Sequence, residues 1–138
     1  MAGETVLPSQ ESPDVFQYIS VTLKADTEDL TGTLDSYIMY CEKDTIVDAA
    51  WFSITTVDAS NDATFTLQYV ASGTGPEGSG TAFTNAATSG ATADATVAWT
   101  ITETANLVPA GNRIALKVAG TSDVEGINVT MRIRTRIR

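Results

Sequence analysis

Apolar and polar residues alternate with a period of two along most of the chain, the spacing that a strand with one buried face requires. In Ala63-Thr64-Phe65-Thr66-Leu67-Gln68-Tyr69 the odd positions are apolar and the even ones polar. Val97, Trp99 and Ile101 repeat the pattern, as does Ile114-Ala115-Leu116-Lys117-Val118. In the last periodic segment Ile127, Val129, Met131, Ile133 and Ile137 share a side. Segments 15–24, 34–42 and 46–57, with a short piece at 81–84, bring the expectation to about eight strands, separated by clusters of Gly, Asn, Asp and Pro. This pattern predicts an all-β fold, an antiparallel β-sandwich of jelly-roll type. Two stacked sheets bury one face of each and limit the open edges. A helical turn is allowed only at 25–30, where Asp26 could cap it, and a loop suits that segment better.

Three stretches depart from the rhythm. Residues 72–80 are rich in glycine, and 85–94 are almost wholly Ala, Thr, Ser and Gly, so neither is expected to bury much. Residues 1–14 have no periodicity and contain Pro8, Pro13, Glu4, Glu11 and Asp14, with Val6 and Leu7 as the side chains to bury. Two such side chains do not offset roughly 1–2 kcal/mol of backbone ordering per residue. Residues 1–14 are therefore expected to form an extended arm that orders only on a neighbour, with residues 15–138 as the sandwich domain.

An apolar content of 43% over 138 residues is enough for one core without disulfide or metal staples. Cys41 is the single cysteine and lies in an apolar run, which predicts a buried, inert thiol. The net charge is −9, yet four of the eight basic residues are Arg132, Arg134, Arg136 and Arg138. The acidic remainder repels phosphate backbones, so nucleic acid is not an expected partner. The start lacks the basic end and apolar stretch of a secretory signal, and no later run reaches membrane-spanning length. Synthesis in the cytoplasm, with no membrane partner, is the expectation.

Histidine is absent, which removes the usual general base and every Ser-His or Cys-His pairing. Carboxylate pairs Asp44 with Asp48, or Asp58 with Asp62, are close enough to consider for glycoside hydrolysis, but both lie at expected turns, where Asp is favoured for its own backbone bonds. Asp26-Thr27-Glu28-Asp29 offers oxygen ligands without the spacing and glycine of the twelve-residue calcium loop. Gly73 and Gly78 have the spacing of a phosphate loop, but Ser79 and Gly80 stand where Lys and Ser or Thr are needed. Asn128-Val129-Thr130 matches a glycosylation acceptor inside an expected strand. Trp51, Phe52, Tyr69 and Trp99 would make a sugar-stacking platform if they pointed outward, although Phe65, Tyr69 and Trp99 fall with Leu67, Val97 and Ile101 on the apolar side of their alternation, which favours core packing. No catalytic residue, cofactor or metal is expected.

The terminal Met131-Arg132-Ile133-Arg134-Thr135-Arg136-Ile137-Arg138 carries the most information. Strand geometry sets its arginines about 6.5–7 Å apart in one row, with the isoleucines on the other face. Such a row repels itself unless carboxylates lie opposite. Those carboxylates belong either to the same subunit or to an assembly partner, and the residue pattern leaves both open.

Val108-Pro109-Ala110-Gly111-Asn112-Arg113-Ile114-Ala115-Leu116-Lys117-Val118, followed by Gly126-Ile127-Asn128-Val129-Thr130-Met131, resembles the closing strands of tailed-phage virion jelly rolls. These are capsid decoration (cement) proteins, head fibres and fibre tips. Residues 48–54 and 64–69 fit the same style, so the resemblance spans roughly 46–134. Asn112 stands where such proteins often have Asp. The resemblance implies a homotrimeric, non-enzymatic structural protein on the virion's capsid exterior, bound to the major capsid protein. Its attachment would use the arm with Val6 and Leu7, or one end of the sandwich. A carbohydrate-binding fibre or tail domain is the alternative, and a glycoside-active enzyme a lesser one.

Overall fold

The computed structural model describes residues 16–29, 36–57, 63–75, 79–89, 92–119 and 124–136, with the side chains of 24–29 left aside. These residues form β1 (Gln17–Asp29), β2 (Ser36–Tyr40), β3 (Thr45–Thr56), β4 (Thr64–Ala71), β5 (Thr81–Ala82), β6 (Ala87–Thr88), β7 (Val97–Ala98), β8 (Leu107–Val108), β9 (Asn112–Ala119) and β10 (Glu125–Thr135). All pairings are antiparallel. Sheet A runs β1-β10-β3-β7, with β8 also on β3; sheet B runs β2-β9-β4-β5, with β6 also on β4. The fold is an antiparallel β-sandwich, as the alternation predicts.

Ten strands stand where about eight were expected, and the pairing explains the difference. β5 and β6 lie along the same neighbour, β4, and β7 and β8 along the same neighbour, β3. Each couple is one interrupted strand. Counted so, the chain crosses between the sheets at every step except β4 to β5, which stay in sheet B, as in a jelly roll. The expected strand at 96–102 is cut to Val97–Ala98, because the backbone turns from sheet A after the Trp99 N–H bonds the Ala50 carbonyl at 3.0 Å. The turn or loop expected at 25–30 is overturned as far as residue 29, since β1 keeps its ladder to β10 through irregular register as far as Asp29↔Glu125.

The core lies between the sheets. Phe52 of sheet A packs against Phe65 of sheet B and against Trp99, with ring centroids 5.2 and 4.5 Å apart. The Trp99 indole N–H donates to the Phe65 carbonyl at 2.8 Å, so one side chain supplies both apolar area and a polar tie between sheets. Val47, Leu67, Phe83, Ile114, Leu116, Ile127 and Met131 complete the interior.

The small-residue stretch at 85–94 buries more than its composition promised: Ala87 and Ser89 are both buried. Their small side chains let β6 lie close against β4, where Ala87 pairs with Phe65. Gly80 has a similar reason, since a Cβ there would lie 2.6 Å from the Tyr69 carbonyl oxygen. At the other hairpin the Asn112 N–H bonds the Pro109 carbonyl, and Gly111 between them has φ +89°, the geometry of a type II turn that asks for glycine.

Candidate interaction surface

The outer face of sheet A holds the arginines of β10, and a bulge in β3 decides what they meet. Arg132 pairs with Ala49 and Ile133 with Val47, so Asp48 has no opposite residue. The extra residue shifts the phase of β3: Val47 and Ala50 both point into the core, and Asp48 is re-aimed outward. There it accepts from Arg134 Nε, at 3.1 Å to Oδ2. Arg134 thus has a carboxylate of its own subunit, the first of the two possibilities open for the row.

Arg132 is held differently. Its guanidinium lies over the Phe16 ring at 5.0 Å, and its Nε is buried without a hydrogen bond. Arg132 and Arg134 border one groove of about 420 Å³ with Ile46, Asp48, Glu103 and Asn106. Arg136 lies beyond the end of β10 and is exposed, with its backbone N–H on the Asp44 carbonyl at 2.8 Å. Arg138, Val6 and Leu7 lie outside the described residues. The row is therefore not uniform: one arginine is stacked, one ion-paired and one exposed.

Two of the carboxylates weighed from sequence, Asp44 and Asp48, have structural partners. Asp44 is buried and its Oδ1 accepts from the Ala110 N–H at 2.9 Å, which fixes the hairpin beside Gly111. Asp48 is engaged by Arg134. Asp58, Asp62 and the side chains of Asp26, Glu28 and Asp29 lie outside the described residues. Among the described residues no three His, Cys, Asp or Glu side chains converge as metal ligands. The groove does bring Asp48 together with Glu103, a pairing that no sequence spacing announced.

Cys41 is buried at the end of β2. Burial pushes its thiol pKa up, and a hydrogen bond with Thr45 offsets part of that rise, so the thiol stays protonated and poorly nucleophilic.

Phe52 and Trp99 are core residues, and Trp51 and Tyr69 are half-buried. Among the described residues the exposed large apolar side chains are instead Phe16, Tyr18, Tyr37 and Tyr40. Tyr18 was legible as an outward residue, because it is in phase with Ser20 and Thr22 while Ile19, Val21 and Leu23 are not. Ser20 and Thr22 meet Thr130 and Asn128 across the ladder through side-chain hydrogen bonds. Tyr18 stands directly opposite Arg132. On β2 the register shift between Tyr37 and Met39 spoils the alternation, which is why the exposure of Tyr37 and Tyr40 was not read. The Arg113 guanidinium lies over Tyr37 at 4.8 Å, and the Tyr37 hydroxyl donates to the Thr74 carbonyl.

Comparisons with protein-family models, with curated proteins and with solved structures found no match to this chain.

Proposed function

We propose that the protein is a structural virion component, a homotrimeric capsid decoration protein. It binds the major capsid protein on the outer surface of a tailed-phage head, and it works by binding rather than by catalysis. The observation that carries this reading is the outer face of sheet A. In a chain of net charge −9, that face gathers Arg132, stacked on Phe16, and Arg134, both bordering one groove. Arginine and aromatic side chains are the groups enriched at the energetic centres of protein interfaces. The resemblance of residues 46–134 to virion jelly rolls supplies the identity of the partner.

The mechanism is linkage. A protein that binds the assembled shell and not its free subunits stabilises the shell, by about 2.7 kcal/mol per site at a hundredfold excess over Kd. The test is co-sedimentation of the purified chain with heads that lack it, together with the temperature at which those heads open. Saturable binding with a raised opening temperature is expected. Heads that neither bind the chain nor open later overturn the reading.

The exposed tyrosines favour a second reading, a carbohydrate-binding fibre or tail domain, since outward aromatic rings stack on sugars. Saturable binding of a host-surface polysaccharide, with no binding to heads, would put this reading in place of the first.

A further inference from the structure

The exposed large apolar side chains among the described residues gather on one flank of the sandwich. Phe16 precedes β1, Tyr18 is on β1, and Tyr37 and Tyr40 are on β2; Tyr18 is 65% and Tyr40 54% exposed. Among the described residues β1 and β2 are the terminal strands of their sheets and touch each other, so two edges without a described neighbour run along the same flank. From Gln17 to Thr22, β1 keeps unbroken register with β10. That stretch, Gln17-Tyr18-Ile19-Ser20-Val21-Thr22, has no charge and no proline. Natural sheets blunt an open edge with lysine, proline or a bulge, and an edge without them is a template for another strand.

Charge selects the occupant. Arg132 over Phe16 and Arg113 over Tyr37 set two cations behind the exposed rings. A second copy of this chain holds 17 Asp and Glu against 8 Lys and Arg, so it has carboxylates in excess to set against them. Residues 1–15, which precede Phe16 in the sequence, hold Glu4, Glu11 and Asp14 and no Lys or Arg.

We propose that the β1–β2 flank is the contact between copies of this chain. Tyr18 and Tyr40 anchor it, the 17–22 edge offers backbone pairing, and Arg113, over Tyr37, meets carboxylates of the second copy. This gives a surface to the assembly part of the decoration reading, and it is tested apart from shell binding.

The experiment is the native mass of the full chain by light scattering over a range of concentrations, for the parent and for Tyr18→Glu/Tyr40→Glu. The parent is expected at a multiple of 14.5 kDa and the double variant at the single-chain mass. Its self-association should be about tenfold or more weaker, with an unchanged circular-dichroism spectrum. Should the glutamates prevent folding, Tyr18→Ser/Tyr40→Ser serves with the same expected loss. A parent that is monomeric at every concentration, or a folded variant that keeps the parent's mass, overturns the proposal. A chain that associates through this flank yet does not sediment with heads overturns the shell-binding reading alone. A monomer that does sediment with heads overturns this inference alone.

Discussion

The two flanks of the sandwich are finished in different ways. On the flank of β5 to β8 the sheets are sewn together by backbone: the Asn85 N–H bonds the Thr100 carbonyl at 3.1 Å and the Thr102 N–H the Phe83 carbonyl at 2.8 Å. A bridge between Thr84 and Ile101 joins the two edges there. The Asn85 side chain adds its carbonyl oxygen to the Thr100 N–H, and Thr84 Oγ1 accepts from the Leu67 N–H. Trp99 and Phe83 lie buried beneath. On the flank of β1 and β2 the edges touch without such a seam among the described residues, and aromatic rings face outward. A sheet edge left with unpaired groups is either satisfied by the chain itself or available to another chain. The first flank takes the former course; the second, as proposed above, takes the latter.

Breaking the sewn flank should have the largest effect. Trp99→Ala removes buried area, the ring contact with Phe52 and the tie to the Phe65 carbonyl, and is expected to cost about 3–5 kcal/mol in urea unfolding. Thr84→Val keeps the shape of the side chain but leaves the Leu67 N–H without its acceptor, for a loss of about 1–3 kcal/mol by the same measurement. Away from both flanks, Arg134→Gln leaves Asp48 without its cation. Both side chains are partly open to solvent, so the loss should be about 0.5–1 kcal/mol at low salt and shrink as salt is added. At the open flank Tyr18→Ser should move the unfolding free energy of dilute protein by no more than about 0.5 kcal/mol, because its ring is mostly in water. A large loss from Tyr18→Ser, or a small one from Trp99→Ala, would erase the contrast.

Most of the sandwich was legible in the period-two alternation, because burial on one face is a property that each strand carries in its own residues. Val97, Trp99 and Ile101, by contrast, alternate like a full strand, yet only Val97–Ala98 is one. What ends it is the crossing to Thr84 of the other sheet, a contact between segments that no local pattern encodes. The arginine row was visible as a row, but its division was not. Asp48 reaches Arg134 because of a bulge that only the register with β10 creates. Phe16, which stacks under Arg132, is recorded in sequence merely as one more aromatic at the start of a strand. The small-residue stretch was misjudged for a related reason. Composition limits how much area Ala87 and Ser89 can bury, but not how tightly the chain can pack there.

The contrast between the flanks is tested most directly by amide hydrogen exchange of the full chain, followed at increasing protein concentration. If copies meet at the open flank, the amides of 17–22 become slower to exchange as concentration rises, while those of 83–85 and 100–102 are protected alike throughout. Exchange in 17–22 that does not respond to concentration, or protection that rises equally on both flanks, would contradict the account.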